Sequence, residues 1–163
     1  MSKQTIDAQS ASVAGWLSRL ESGANALVRF HQKILELLEP GDYVDLQIGG
    51  RSSRVLTKSG AEKIVLSLGH RFGLLERNYY HLDNSHLHVS VQISILDDSD
   101  NILSTGLGES TTLESRYSRN PRDFWNTVAK MALKRAQVAA TISAYGLSGI
   151  FTQDLDDSPP CSR

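Results

Sequence analysis

The chain has 163 residues, a formal net charge of −1, 40% apolar and 21% charged residues, which fits one globular domain with a buried core and excludes a uniformly basic nucleic-acid coat. It has no run of eighteen apolar residues, so no membrane-spanning helix is expected, and MSKQTIDAQS lacks the apolar stretch of a secretory signal. The single cysteine, Cys161, rules out an internal disulfide and a Cys-built zinc site, and a reducing, cytoplasmic location is expected.

Residues 1–10 are polar and are expected to be a flexible N-terminus, followed by one domain over 11–153 and a loose tail over 154–163 ending in Ser-Pro-Pro-Cys-Ser-Arg. A helical pattern starts near Ser12, with Trp16, Leu17 and Leu20 on one face. Glu21-Ser22-Gly23 is a candidate break. A second helical run carries Leu27, Phe30, His31, Ile34 and Leu37 until Pro40-Gly41 ends it. Val44, Leu46 and Ile48 then alternate with Tyr43, Asp45 and Gln47, the period of a half-buried strand. Gly49-Gly50 is a turn candidate, and a second short strand follows over 51–56. Thr57 or Ser59 can cap a short helix running to Leu68, with Gly69 as its stop.

From Arg71 to Glu109 the pattern predicts three strands, about 72–80, 86–96 and 102–109. In the second, Leu87, Val89, Val91, Ile93 and Ile95 alternate without a fault. Asp97-Asp98-Ser99-Asp100-Asn101 has the composition of a hairpin turn. The last element is a long helix, with Asn120 as N-cap and Pro121 at its first position, ending at Gly146. Ala129, Ala132, Ala136 and Ala140 give it a small face that lets it approach a sheet closely; Lys130 and Lys134 share another face, with Arg135 to the side. The expected fold is α+β: a curved antiparallel β-meander packed against a long C-terminal helix, with N-terminal helices before it.

Charge is unevenly placed. Residues 51–80 hold 6 basic and 2 acidic groups and residues 116–135 hold 6 basic and 1 acidic, whereas residues 81–115 hold 6 acidic groups and no basic one. The two basic blocks are either solvated faces or, if the fold joins them, a phosphate-binding surface.

Motifs for catalysis are missing: there is no G-x-S-x-G, no H-E-x-x-H and no usable cysteine, so an enzyme is not expected. Asp97, Asp98 and Asp100 have the residue types of a divalent-ion site but also those of a turn. His81, His86 and His88 have those of a zinc set but also of a surface cluster, and no metal or cofactor is expected. Gly106-Leu107-Gly108 lacks the rest of a phosphate loop and reads instead as bulge glycines in a curved sheet. Nucleic-acid binding needs cations for phosphates and flat side chains for bases. The candidate cations include Arg51, Arg54, Lys58, Arg116, Arg119, Lys130, Lys134 and Arg135. Tyr117, between Arg116 and Arg119, is the candidate stacking ring; Phe124 and Trp125 read as core.

Four stretches carry a family resemblance. They are Gly41-Asp42-Tyr43 with Ile48-Gly49-Gly50; Leu56-Thr57-Lys58-Ser59-Gly60-Ala61-Glu62-Lys63; Gly106-Leu107-Gly108 with Glu114-Ser115-Arg116-Tyr117; and the helix from Asn126 to Ala136, with Ala-Leu-Lys-Arg-Ala at its end, running on to Ser148-Gly149-Ile150-Phe151-Thr152-Gln153-Asp154-Leu155. Over about residues 27–157 the chain resembles small phage and bacterial proteins related to DdrA and the Rad-fifty-two-like single-strand annealing proteins. The resemblance implies ATP-independent annealing of single-stranded DNA in recombination or repair by a ring or helical homo-oligomer, with a single-strand-binding protein as a further partner and no membrane. It implies that Lys134 and Arg135 contact the DNA backbone, with Arg51 and Arg54 lining the same groove. The position three after this pair, often basic in relatives, is Val138 here. A structural alternative for Arg135 is an ion pair with Glu109 or Glu114. Two other functions stay open: a non-annealing single-stranded DNA protector, and a phage or plasmid protein-interaction module.

Overall fold

The computed structural model describes residues 3–48, 51–117 and 119–152; the side chains of residues 3–12, Ile48 and Arg51 lie outside that description. The chain divides into two compact units, Met1–Leu37 and Leu38–Arg163. The first is one helix, α1 (Lys3–Leu37), of 35 residues. The expected break at Glu21-Ser22-Gly23 is absent, and the helix begins at Lys3, not near Ser12. A single interior glycine costs a helix only about 1 kcal/mol, too little to split it. The N-terminal helices therefore merge into one. The expected loose tail lies outside the described residues.

The second unit opens with a two-stranded antiparallel hairpin, β1 (Tyr43–Ile48) and β2 (Arg51–Leu56), in which Val44 faces Val55 and Asp45 faces Arg54. Helix α2 (Lys58–Ser67) follows directly, capped by the Thr57 hydroxyl, which accepts from the Gly60 N–H; the chain leaves it through Gly69 at φ +75°. Asp42 fastens hairpin to helix. Its carboxylate accepts from the Glu39 N–H at 3.0 Å, the Ser59 hydroxyl at 2.7 Å and the Lys63 ammonium at 2.8 Å. Its own carbonyl accepts from the Thr57 N–H at 3.0 Å. The Lys63 hydrogen bond, the Glu39 N–H and Ser59 together hold the Asp42 carboxyl at about 2. Two of the sequence motifs, around Gly41-Asp42-Tyr43 and Thr57 to Lys63, thus meet in one structural joint.

The meander is a three-stranded antiparallel sheet in the order β3 (Arg71–His81), β4 (Leu87–Leu96), β5 (Ile102–Thr111). The turn between β4 and β5 is closed by Asp97, whose carboxylate accepts from the Ser99 and Asn101 N–H groups. Asp100 pairs with Arg71, so the acids serve the turn. Helix α3 (Trp125–Ala144) crosses β4 and β5. It starts later than expected: Pro121–Phe124 form a 3-10 turn, and the Asn120 side chain makes no capping bond. Three of the four small residues do as expected, with Ala132, Ala136 and Ala140 fully buried against the sheet face that presents Val89, Val91, Ile93 and Ile95, while Ala129 is half-buried. Gly106 and Gly108 are not bulge residues; the register shifts fall at Leu74/Glu76 and Ile95/Leu96. A Cβ on Gly106 would come within 2.8 Å of the Ala140 Cα, and one on Gly108 within 2.9 Å of the Ala136 Cα. Glycines on the strand and alanines on the helix together set the close approach.

The chain leaves α3 through Gly146 at φ +63° and buries Leu147 and Phe151. The Thr152 N–H then donates to the Arg54 carbonyl at 2.8 Å, which ties the end of the described chain to β2. Among the described residues no helix is long and apolar enough to cross a membrane.

Candidate nucleic-acid interface

The β1–β2 hairpin and the α3/β5 layer enclose a groove of about 420 Å³. One wall is the hairpin face carrying Val44, Leu46 and Val55; the other is formed by Leu107, Met131 and Val138. Three cations from the basic block at 116–135 line it: Arg116, Lys134 and Arg135. Helical geometry explains the pairing of Lys134 with Val138, since residues four apart lie on one face.

The three cations differ in their partners. Lys134 is exposed and pairs with no described residue, so its ammonium is available to an anion. Arg135 takes the structural alternative foreseen for it. It donates to the Glu109 carbonyl at 2.5 Å and forks onto the Glu114 carboxylate at 3.0 and 3.3 Å. Arg116 holds the same carboxylate through its Nε at 3.0 Å, and the Ser110 hydroxyl adds a bond at 2.9 Å. Partial burial pushes the Glu114 carboxyl up, but the hydrogen bonds from Arg116, Arg135 and Ser110 outweigh it and hold it at about 2. Glu114 thus braces two guanidinium groups at the edge of the groove. Both arginines remain substantially exposed, so a phosphate can reach them.

The remaining candidates lie elsewhere. Lys130 sits one turn before Lys134, exposed and without a described partner, but does not line the groove. Arg54 bonds Asp45 at 2.9 Å and stacks over Tyr43 at 4.3 Å; the strand register places it on the hairpin face opposite Val44 and Val55. The two-residue period of the strand turns it away from this groove. Arg51 pairs its backbone with Ile48, and its side chain lies outside the described residues. Lys58 forms an i,i+4 pair with Glu62 at 3.0 Å, away from the groove. Arg119 is exposed and without a described partner. Tyr117 is corrected as a stacking platform: it is 4% exposed, packs against Phe124 at 5.0 Å and has Arg116 over its ring, so no base can reach its face.

The histidines work separately. His81 meets Trp125 edge-on, His86 lies 3.2 Å from the Thr112 hydroxyl, and His88 lies 3.9 Å from Glu109. Among the described residues no three His, Cys, Asp or Glu side chains are grouped to hold a metal ion. What the residue-by-residue reading missed is the apolar lining. Val44, Leu46 and Val55 were legible as a hairpin face, but only the tertiary fold sets them opposite Leu107 and Val138. Comparison of the chain with protein-family models found no match, and comparison with characterised proteins found none.

Proposed function

We propose that this groove binds single-stranded DNA and that the protein, as a homo-oligomer in the cytoplasm, anneals complementary strands without ATP, as the family its sequence resembles does. The observation that carries the reading is the convergence of Lys134, Arg135 and Arg116 on one apolar-walled groove in a chain with no net positive charge. Cations along a cleft track a phosphate backbone, and apolar walls accept sugars and base faces without reading sequence. That division suits annealing, where base edges must stay free to pair. Of the acids of the 81–115 block, Asp97 and Asp100 are spent in the hairpin turn and Glu114 is held by the two arginines, whereas Glu109 lines the groove as its one exposed carboxylate among the described residues.

Assembly is supported by the sheet. It is open, with β3 and β5 at its edges, and β3 leaves Leu74, Leu75, Tyr79 and Tyr80 about half exposed. Unpaired edges of this length favour addition of a strand from a neighbour. The test is an annealing assay with two complementary oligonucleotides, run beside binding of each strand alone. Acceleration by the parent protein and its loss in Lys134→Ala with Arg116→Ala is the expected result. Tight binding without acceleration would make the protein a strand protector, and failure to bind either strand would remove the nucleic-acid reading.

A further inference from the structure

From Val13 to Arg29 every residue of α1 is exposed, including Trp16 at 65%, Leu20 at 68% and Leu27 at 47%. Most helical stability comes from burying an apolar stripe, so a helix bare on all sides over this length lacks its main support. The stripe has a strict form. Val13, Trp16, Leu20, Gly23, Leu27 and Phe30 follow one another at alternating spacings of three and four, the a and d positions of a heptad seam. A seam of that period mates with another helix of the same period. Among the described residues the other two α-helices do not offer one: α3 spends its small face on the sheet, and α2 has only 10 residues.

We infer that α1 pairs with α1 of a second copy, antiparallel, along the seam from Val13 to Phe30. Size complementarity sets the direction. In an antiparallel pair, a positions meet d positions, so Leu20 lies opposite Gly23 of the second copy, Trp16 opposite Leu27, and Val13 opposite Phe30. Large residues then meet small or medium ones throughout, and on the flank Leu17 meets Ala24. A parallel pair would stack Gly23 on Gly23 and leave a hole, with Trp16 forced against Trp16. The antiparallel register is also centred between Glu21 and Ser22, the middle of the exposed stretch, and sets no like charges together along the seam. The exposed parts of Val13, Trp16, Leu17, Leu20 and Leu27, on the seam or its flank, amount to several hundred Å² on each copy, a large part of the roughly 800 Å² per partner of a standard interface. The inference does not rest on the nucleic-acid reading.

The test uses the full chain and reads its mass by light scattering at fixed concentration. Leu20→Glu places a charge in the seam and is expected to halve the mass, while Leu20→Ile and the outward Ser18→Glu leave it as in the parent. Annealing of the oligonucleotides is followed in parallel, so that loss of the pair and loss of the groove are read separately. A second measurement leaves the seam nearly intact. In a Cys161→Ser background, chains carrying Leu20→Cys are mixed with chains carrying Gly23→Cys and oxidised. A mixed disulfide dimer is expected, with none when Ser18→Cys replaces either. An unchanged mass for Leu20→Glu, or no mixed disulfide, would overturn the pairing.

Discussion

Gly108→Ala tests how the sheet positions the groove. The added methyl carbon would stand 2.9 Å from the Ala136 Cα and closer still to the Ala132 carbonyl and the Ala136 N–H. These are backbone atoms of α3, so no side-chain rotation relieves the clash. The helix has to back off by about 1 Å to restore ordinary contact, against a core in which Ala132, Ala136 and Val128 are fully buried. Overpacking of this kind costs roughly 1–3 kcal/mol, and the reduced freedom of the unfolded chain returns at most about 1 kcal/mol. The net expectation is a loss of about 1–2 kcal/mol, or a fall in Tm of roughly 2–8 °C for a chain of this size. Because α3 carries Lys134 and Arg135, DNA binding should weaken as well. Gly15→Ala is the control: nothing lies within 4 Å of that position, and alanine favours the helix by about 1 kcal/mol. The assay is thermal melting at fixed protein concentration beside a DNA titration. A Gly108→Ala protein that melts and binds as the parent does would refute the close-approach argument.

Three further outcomes are expected. Asp42→Asn should cost about 2 kcal/mol, the worth of a carboxyl held at about 2 instead of its ordinary 3.8. Since that carboxyl is lowered in the folded state, its contribution is present above pH 3.8 and is lost as pH falls toward 2; melting of the parent should show this slope and the variant should lack its share of it. Glu114→Gln should tighten DNA binding severalfold by freeing Arg116 and Arg135 for phosphate, with a stability loss of about 1 kcal/mol or less because both arginines are exposed; weaker binding in a fluorescence titration would count against the groove. The Gln137 Oε1 is buried with no hydrogen-bond partner among the described residues, so Gln137→Met should raise stability by about 1 kcal/mol, checked by denaturant unfolding.

Much of the fold is legible in local pattern. The faultless alternation from Leu87 to Ile95 is the buried face of β4, and the alanines of α3 are the face that meets it. Reading fails where the deciding partner is distant in sequence. Gly106 and Gly108 look like bulge residues until α3 is laid across them. Tyr117 sits among arginines in a polar stretch, yet its ring is buried against Phe124 because the 3-10 turns fold the loop inward. Arg54 is diverted by a cross-strand partner, Asp45, that only the hairpin register reveals. Lys58 is the instructive exception: Glu62 stands four residues on, so its ion pair is written in the spacing. The unbroken α1 shows the opposite error, a break assigned to Glu21-Ser22-Gly23 although apolar residues at spacings of three and four continue on both sides of it.

The salt dependence of single-stranded DNA affinity, measured on the parent and on Lys134→Ala, addresses the groove most directly. Each phosphate contact releases counterions, so log affinity falls with log salt by about 0.7 per contact on a single strand. Lys134 is exposed and makes no ion pair with any described residue, so its removal should leave melting unchanged while it weakens binding and lowers the slope by about 0.7. An unchanged slope in a fully folded variant would mean that phosphates do not pass Lys134 and that the groove between hairpin and helix is not the DNA path.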